Sequence, residues 1–358
     1  MNKLTKLIIP AAAGALLLTG CSAANSSGNS ETTASAVETS STGSTGSVSD
    51  AGSDKLKIVT TIFPEYDWVM NILGDKKADA EVTLLCSSGT DMHSYQPSVD
   101  DIMKISDCDI FIYAGGESDK WVDGALSNAT NKDMVTVNLI DELGSLAKEE
   151  ETAEGMQEEG HDHEHDEEAH NEGEEHSEEA EYDEHVWLSL KNAEFLTDSI
   201  AEAIESVDSK NAETYRGNAV KYKESLSDLD ERYQKTVDSA TVKTLLFADR
   251  FPFRYMTDDY GITYYAAFPG CAAETEASFE TIAFLAGKAD ELSLKHIMTI
   301  EGSDKKIAET IISNTASKNQ DILELNSMQS VTATEIEGGI NYLSLMEDNL
   351  LVLEKALN

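Results

Sequence analysis

The sequence predicts an α/β protein of two lobes joined by one long helix. Apolar strands alternate with helical segments in the first half of the chain and again in the second, which is typical of parallel sheets covered by helices on both faces. Between the halves runs a helical segment with a single apolar stripe. Its members are spaced by three or four residues: Tyr215, Ala219, Tyr222, Leu226, Leu229, Tyr233 and Val237. A coiled coil is the alternative, but the flanking charges lack its regularity, so the stripe favours a helix lying across two lobes.

The first half, residues 55–207, is predicted to form the N-terminal lobe. Pro64 and Pro97 each open a helical stretch, because proline fits the first turn of a helix. Helical residues also follow Asp119, and a longer helix is predicted over residues 190–207. The predicted strands are residues 56–62, 82–85, 109–113 and 135–139.

The second half repeats this alternation. Residues 208–239 are predicted to form the linker helix, and residues 240–358 the C-terminal lobe, which ends in an amphipathic helix over residues 342–357. Further helices are predicted around Leu285 and over residues 307–312. The predicted strands are residues 244–247, 263–268, 296–300 and 321–325.

The N-terminus predicts export and a lipid anchor. Two lysines precede a short apolar run over residues 7–18, which is too short for a good membrane span and predicts a signal peptide of residues 1–20. The small residues before Cys21 resemble the bacterial lipobox, which implies a lipid on its thiol; an ordinary signal peptide with a chance cysteine is the alternative. Residues 21–54 are rich in Ser, Thr and Gly and are predicted to be a flexible tether. The protein should therefore be anchored on the extracytoplasmic side of a bacterial cell membrane.

An acidic, histidine-rich stretch lies at residues 149–184. It contains 19 Asp and Glu residues and no Lys or Arg, within a chain of net charge −42. Such a segment has too little apolar surface to offset its ordering entropy, so we expect it to be disordered. Its imidazoles alternate with carboxylates, which predicts loose capture of a transition metal; a solvated loop without function is the alternative. Its histidines are His161, His163, His165, His170 and His176, and His185 follows directly.

The cysteines do not form a recognisable metal-binding or redox motif. Cys86, Cys108 and Cys271 lack a Cys-x-x-Cys spacing, which argues against a zinc ribbon and a thioredoxin-like site. In an exported protein, Cys86 and Cys108 form either a disulfide or two buried free thiols.

Five segments of the chain resemble one protein family in their order and spacing. They are residues 58–64, the stretch GTDMHSYQPSVDD at 89–101, the strand DIFIYAG at 109–115, DEHVWLS at 183–189 with Glu184 in place of the family's proline, and residues 342–357. Together they are similar to the zinc/manganese-type solute-binding lipoproteins of bacterial ABC importers, the ZnuA-like or cluster A-I family, over about residues 55–358. An acidic, histidine-rich segment before the fourth stretch is usual in the zinc-preferring branch of that family.

The resemblance implies the position and the nature of a ligand site. A metal ion would lie in the cleft between the two lobes, with His93 and His185 as ligands, and the rigid linker helix would allow modest closure rather than a wide hinge motion. Imidazole suits zinc, whereas added carboxylates would move the site toward manganese or iron; the histidine-rich segment favours zinc, with manganese second. Metal binding should weaken as pH falls through the histidine range, because protons compete for imidazole.

Two positions depart from the pattern of this family. Ala248 stands where zinc-binding members have a histidine, and Asn326 stands where they have an acidic ligand. The first interpretation is that Asp249, Glu301 or Glu276 completes the metal shell. The second is that the cleft binds metal weakly through its two histidines and water, or binds a metal chelate instead.

Three further residues bear on that choice. Arg250 and Arg254 would meet an anionic chelator, although ordinary ion pairs are the competing and favoured prediction for both side chains. His296 precedes an apolar strand, and we predict a structural role for it.

The sequence therefore predicts a binding module rather than an enzyme. We expect a monomeric protein that takes up a divalent metal ion outside the membrane and delivers it to an ABC permease. A zinc-dependent hydrolase is the alternative, but the chain has no His-Glu-x-x-His motif and no nucleophile elbow. The strongly negative charge argues against a nucleic-acid partner, since phosphate binding needs a basic surface. The sequence neither supports nor excludes a third function, a role in cell adhesion.

Overall fold

The computed structural model of the protein describes residues 55–157, 181–272 and 276–358. The predicted signal peptide, the predicted lipidation site Cys21 and the tether of residues 21–54 lie outside the described residues. The predicted metal-capturing histidines lie outside them as well: His161, His163, His165, His170 and His176. Among the helices of the described ranges, none combines the length and the apolar composition that crossing a membrane requires.

The N-terminal lobe is built on a parallel sheet. Its described strands are β1 (Leu56–Thr60), β2 (Ala80–Leu84), β3 (Ile110–Tyr113) and β4 (Val135–Asn138), in the spatial order β2-β1-β3-β4. Its described helices are α1 (Phe63–Leu73), α2 (Val99–Asp107), α3 (Val122–Ser127), α4 (Leu139–Leu143) and α5 (Leu190–Val207). Neighbouring strands run parallel, as the alternation of strands and helices predicts.

The C-terminal lobe repeats this architecture. Its described strands are β5 (Thr244–Phe251), β6 (Thr263–Pro269), β7 (His296–Ile300) and β8 (Asp321–Leu325), in the spatial order β6-β5-β7-β8. Its described helices are α7 (Arg254–Tyr260), α8 (Phe279–Glu291), α9 (Lys306–Asn314), α10 (Ala333–Glu337) and α11 (Tyr342–Ala356). Its strands are also parallel.

Both sheets have a topological switch point. In each lobe the chain passes from the first strand to an outer strand on one side, and then crosses to the other side. The first and third strands of each lobe are therefore neighbours, β1 beside β3 and β5 beside β7. Ligands of open parallel sheets bind beyond the carboxyl ends of the strands at such a point. The loops that follow these strands are thus where a site should be sought.

Helix α6 (Ala212–Ser239) is the predicted linker between the lobes. It has 28 residues, and its buried side chains are the seven residues of the predicted apolar stripe. The Tyr222 hydroxyl donates a hydrogen bond to Asp67 of α1 over 3.2 Å, and the Tyr233 hydroxyl donates one to the Met346 carbonyl of α11 over 2.6 Å. The helix is therefore tied to both lobes, and the predicted fold of two parallel-sheet lobes joined by one long helix is confirmed.

One hydrophobic core runs through both lobes. It includes Ile58 and Trp68 from the N-terminal lobe, Tyr215 and Tyr233 from α6, and Leu325 from the C-terminal lobe. Smaller apolar clusters cover the opposite face of each sheet. Moving the lobes far apart would expose part of the shared core, which costs about 25 cal/mol for each Å² of apolar surface. This packing favours small relative movements of the lobes.

The structure differs from the sequence prediction at short and irregular elements. β5 continues to Phe251, beyond the predicted end at residue 247. The prediction ended too early because the apolar pattern stops where the pairing with β6 shifts register, between Phe247 and Arg250. Helices α4, α7 and α10 are absent from the prediction, since five to seven residues contain too few turns for a periodic pattern.

The prediction of disorder over all of residues 149–184 is wrong at both ends of that stretch. The ends pair with each other, since the Glu150 amide donates to the Glu181 carbonyl over 2.8 Å. Met156 is buried as well. These contacts supply free energy that offsets the ordering entropy, and the composition alone does not reveal them. Residues 158–180 lie outside the described part of the chain.

Cys86 and Cys108 are free thiols, and both are buried in the N-terminal lobe. Of the two sequence-based alternatives, the structure therefore has the thiols rather than the disulfide. Burial raises the pKa of both thiols, so they are protonated at neutral pH and serve as packing residues.

Candidate metal site

His93 lies on a loop that follows the carboxyl end of β2. The loop ends in a 3-10 turn, Met92–Ser94, which the Asp91 side chain caps by accepting a hydrogen bond from the His93 amide over 3.0 Å. The Nδ1 atom of His93 lies 2.7 Å from Ser118 Oγ and 3.6 Å from a carboxylate oxygen of Glu184. A proton on Nδ1 satisfies these oxygens and leaves Nε2 with an outward lone pair.

Glu184 lies on the Nδ1 side of the His93 ring, opposite the Nε2 atom that would bind a metal. Its Oε1 atom accepts a hydrogen bond from the Ser118 amide over 2.6 Å, and the side chain is fully buried. Burial raises the pKa of this carboxyl group. Gly116 makes room for it, because the backbone there has φ +77° and a Cβ would lie 2.6 Å from Glu184 Cγ. Glu184 stands where the family has a proline, and the sequence predicts no role for it at the site.

His185 is oriented by the carboxylate two residues before it. Asp183 Oδ1 lies 2.9 Å from His185 Nδ1 and also accepts a hydrogen bond from the His185 amide over 2.9 Å. The imidazole is fully buried and packs on the Trp187 ring, with 5.3 Å between ring centroids. A proton held on Nδ1 by a carboxylate leaves Nε2 as the free acceptor, which is the usual arrangement of metal-binding histidines.

The two imidazoles direct the same atom at each other. His93 Nε2 lies 3.1 Å from His185 Nε2, and the amide nitrogen of Gln329 lies 3.2 Å from His93 Nε2. When each ring carries its proton on Nδ1, where both rings have an oxygen partner, two lone pairs face one another across this gap, as binding of one cation requires. Two imidazole nitrogens on one tetrahedral zinc ion are about 3.3 Å apart, given Zn–N bonds of about 2.0–2.1 Å. The pair therefore suits a shared cation.

A third potential ligand comes from the C-terminal lobe. The possible ligand atoms of His93, His185 and Cys271 all lie within 4.8 Å of one another. Cys271 follows β6 through Gly270, where a Cβ would lie 3.0 Å from both the His185 ring and the Phe251 carbonyl. Cys271 has no motif spacing, so the sequence does not predict it as a ligand. Its position after a Pro-Gly turn at a strand end is the signal that points to it.

A cavity of about 970 Å³ opens beside His93 and is lined by both lobes. Asp91 lines it from the N-terminal lobe, and the three predicted carboxylate ligands line it from the C-terminal lobe: Asp249, Glu276 and Glu301. Within the described ranges, the group of close ligand atoms around the histidine pair contains none of these three carboxylates. Their role as metal ligands stays a prediction.

Glu301 and Asp249 have other partners in the structure. The Ser327 amide and hydroxyl donate hydrogen bonds to the two oxygens of Glu301 over 2.7 and 2.6 Å. The Arg250 amide donates to Asp249 over 3.0 Å, whereas the second Asp249 oxygen has no hydrogen-bond partner. Burial raises the pKa of both carboxyl groups.

The two positions that depart from the family pattern occupy different places. Ala248 is buried and lines the cavity, so a longer side chain there would reach into the cleft. Asn326 instead shapes its own turn, because its side-chain oxygen accepts a hydrogen bond from the Met328 amide over 2.8 Å. Its backbone is held by the Asn349 side chain, with two hydrogen bonds of 2.8 Å.

Both arginines beside the cleft are in ion pairs. Arg250 lies 2.5 Å from Asp91, and Arg254 lies 3.1 Å from Glu151. Burial alone would raise the pKa of Asp91, but the Arg250 guanidinium holds that pKa below its usual value. The competing prediction of ordinary ion pairs is therefore confirmed for both side chains. The Nε and Nη1 atoms of Arg254 are buried without a hydrogen-bond partner among the described residues, so a metal chelate as the ligand stays an alternative prediction. The Arg250–Asp91 pair also links the two lobes beside His93.

The segment that carries His185 is anchored by the C-terminal lobe. The Trp187 indole donates a hydrogen bond to the Ser327 carbonyl over 2.8 Å, and the Tyr342 hydroxyl donates one to the Trp187 carbonyl over 2.6 Å. The Tyr255 hydroxyl donates to the Asp183 carbonyl over 3.0 Å. The imidazole of His185 is therefore positioned by groups from both lobes.

The metal-free site should resist protonation at His93. Burial, and then the charge of His185, lower the pKa of His93 well below its usual 6.5. An ordinary imidazole loses about tenfold in metal affinity to protons between pH 7.5 and 5.5, and we expect His93 to lose much less. Titration of the His93 Cε1 proton by NMR in the metal-free protein checks this. A midpoint near pH 6.5 would contradict it.

The same shift affects stability. Below pH 6.5 the unfolded chain binds a proton at this imidazole, whereas the folded chain does not until a lower pH. The contribution of His93 to the free energy of unfolding is therefore complete above pH 6.5 and declines as pH falls toward its folded-state pKa.

The fold and the cleft together define a class of protein. Two parallel-sheet lobes, one rigid helix between them and a pair of facing imidazoles at the lobe boundary are the architecture of a two-lobed solute-binding protein. The chain belongs to the family described as ZnuA, zinc-uptake complex component A, periplasmic, which matches residues 58–356. The family that the sequence motifs predict is thereby confirmed.

Curated relatives carry names of zinc binding and zinc uptake. The zinc-binding lipoprotein AdcA of Streptococcus pneumoniae is 32% identical over 301 residues, which is 84% of this chain and 56% of AdcA. The high-affinity zinc uptake system protein ZnuA of Bacillus subtilis is 30% identical over 314 residues, which is 88% of this chain and 91% of that protein. The chain thus spans little more than half the length of AdcA.

Solved structures have the same fold. The zinc-bound ZnuA-like domain of Streptococcus pneumoniae AdcA has a TM-score of 0.63 and 27% identity, covering 85% of this chain and 99% of that domain. The metal-dependent lipoprotein YcdH of Bacillus subtilis has a TM-score of 0.66 and 28% identity, covering 85% of this chain and 99% of that one.

Proposed function

We propose that this protein binds zinc outside the cell and delivers it to the permease of an ABC importer. The single observation that carries the proposal is the short gap between His93 Nε2 and His185 Nε2, with each Nδ1 atom held by an oxygen. Both histidines are the proposed ligands. Zinc is favoured because imidazole suits it and because the relatives above bear zinc in their names, with manganese as the second candidate.

A lipid on Cys21 would hold the protein at the outer face of the cell membrane. The proposal rests on the lipobox-like residues before this cysteine and on the tether that follows it. A relative named as a lipoprotein supports the same placement. A tether of this kind would leave the lobes free to meet the permease as a monomer.

The acidic, histidine-rich segment would capture zinc loosely and raise its concentration at the cleft. Its described ends support this role, since the Gln157 amide donates to the Ala267 carbonyl of β6 over 2.9 Å, and Glu181 precedes His185 by four residues. The segment therefore leaves and rejoins the fold beside the candidate site. Metal released from it would be released near the ligands.

An enzyme is not the function that these findings favour. The relatives above are named for zinc binding and uptake, not for a reaction, which agrees with the prediction against an enzyme. The ion pairs of Arg250 and Arg254 favour a bare metal ion over an anionic chelate, because a carboxylate already lies against each guanidinium.

Uptake of radioactive zinc by cells tests the proposal. Cells that lack this protein should lose high-affinity zinc uptake, and the full-length chain should restore it while manganese uptake stays unchanged. A variant without residues 158–180 should keep the cleft affinity, lose weakly bound zinc and restore less uptake when zinc is scarce. Zinc uptake that is equal with and without the protein would contradict the proposal. Loss of manganese uptake alone would assign the other metal.

A further inference from the structure

The ligands expected from the C-terminal lobe are missing at the two positions where the family has them. Ala248 has no donor atom, and the Asn326 side chain is occupied by its own turn. The predicted carboxylates lie along the cavity, outside the described group of close ligand atoms. A cation held by two imidazoles alone would lack the three or four protein ligands that zinc sites have. The missing ligand must come from a residue already close to the pair.

We propose that the thiolate of Cys271 is the third protein ligand of the cleft metal, supplied by the C-terminal lobe. The proposal rests on the proposed function, because it concerns the same cargo. It assigns a soft sulfur ligand to a chain that has lost the histidine and acid expected at two positions of its second lobe.

The geometry requires little adjustment. The possible ligand atoms of the three residues lie within 4.8 Å of one another. Zinc–sulfur bonds of about 2.3 Å and zinc–nitrogen bonds of about 2.1 Å place sulfur about 3.5 Å from nitrogen in a tetrahedral site. A movement of about 1 Å is therefore enough, which suits lobes that share one core. Gly270 keeps the turn against the His185 ring, where any side chain would be crowded.

A second polar group of the same lobe points into this site. Gln329 is 3% exposed, and its side-chain oxygen has no hydrogen-bond partner in the described structure. Its amide nitrogen lies 3.2 Å from His93 Nε2. A buried amide oxygen without a partner is costly, and a cation beside it would satisfy it after rotation of the amide. This observation is independent of the cysteine and indicates a cation at the same place.

The chemistry of the ligands sets the preference for a metal. Thiolate is a soft ligand that selects zinc, whereas manganese prefers carboxylate, carbonyl and water. A sulfur from one lobe and two nitrogens from the other would also make the bound ion a link across the cleft. The metal would therefore favour the arrangement in which the two lobes lie close together.

Cobalt(II) substitution in the full-length protein tests the assignment. The wild-type complex should show the near-ultraviolet sulfur-to-cobalt charge-transfer band. The triple variant C21S/C86S/C108S, which keeps Cys271 as its single cysteine, should retain that band. The C271S variant should lose the band and bind zinc at least about 100-fold more weakly. Loss of a group that only hydrogen-bonds to a metal ligand already costs about 10–100-fold in affinity, and here the ligand itself is removed. C271D should shift preference from zinc toward manganese.

The outcomes separate this inference from the proposed function. Absence of the band in wild-type protein that still binds zinc tightly would overturn the role of Cys271 and leave the proposed function standing. Unchanged zinc affinity in C271S would do the same. If the wild type shows no tight zinc binding at all, the proposed function itself fails. The triple variant decides the question even if C271S does not fold.

Discussion

Replacing His185 with alanine should lower the affinity of this protein for zinc by at least about 100-fold. The imidazole is fully buried, and Asp183 fixes its Nε2 atom toward His93, so its removal takes away a ligand atom that the fold holds in place. Loss of a group that hydrogen-bonds to a metal ligand costs about 10–100-fold in metal affinity, and loss of the ligand itself should cost more. Competition against a strong chelator measures the affinity without interference from loosely captured zinc.

Two further variants test whether the loss of affinity is specific to the cleft site. Asp183→Asn keeps the imidazole but weakens its orientation, so it should fall between wild type and His185→Ala, at about 10–100-fold weaker. His296→Ala removes the third histidine of the described residues, which lies at the start of β7 outside the cluster, and should leave the affinity unchanged. An effect of His296→Ala equal to that of His185→Ala would mean that the metal binds elsewhere.

A double-variant cycle adds a check on the pair. If His93 and His185 bind one ion, removing the second after the first should cost much less than removing it from wild type, because the shared site is already broken. Additive losses would instead indicate two separate ions. The cycle therefore distinguishes one shared cleft site from two adjacent weak sites.

Replacing Trp187 with alanine should lower the free energy of unfolding by about 3–5 kcal/mol, the usual cost of truncating a buried aromatic side chain. Trp187 is fully buried in the core shared by both lobes. Its indole donates to the Ser327 carbonyl over 2.8 Å, and its own carbonyl accepts from the Tyr342 hydroxyl over 2.6 Å. The loss combines a cavity in that core with a buried carbonyl left without its donor.

Trp187→Phe separates the two parts of this effect. Phenylalanine keeps most of the ring but cannot donate to Ser327, so this variant should lose about 1–3 kcal/mol, the cost of leaving a buried acceptor unsatisfied. Urea unfolding of the metal-free proteins measures both variants. A loss below about 1 kcal/mol in Trp187→Ala would mean that the lobes do not depend on this contact. Such a result would also argue against a shared core.

These two predictions concern one structural relationship. The segment that presents His185 also carries Trp187, and both residues are held by groups from the opposite lobe. Binding and stability should therefore be coupled, so that zinc protects the protein against unfolding by an amount that grows with its concentration above the dissociation constant. The variant Trp187→Ala should bind zinc more weakly as well, because its imidazole neighbour loses support.

The candidate site could be predicted in part. His93 and His185 were identified because each lies in a segment that resembles a family pattern, and the structure brings them together. Cys271 and Gln329 lie outside the segments that resemble the family, and Glu184 departs from the pattern of its segment. Their positions beside the histidines depend on contacts with residues that are distant in sequence. Asp249 and Glu301 lie on the cavity wall, as strand-end residues should, but the direction of their side chains follows from packing and hydrogen bonds that no local pattern encodes.

The order of the strands and of the longer helices follows from the sequence, whereas the short helices α4, α7 and α10 do not. Strand and helix periodicities depend on residues close together along the chain, so the alternation of the two lobes and the seven-residue stripe of α6 were visible without coordinates. The tertiary structure alone decided which side chains from the two lobes meet in the cleft, that Arg250 pairs with Asp91, and that the ends of the acidic segment are ordered. Those contacts join residues far apart in the chain, and their geometry arises only when the whole core packs.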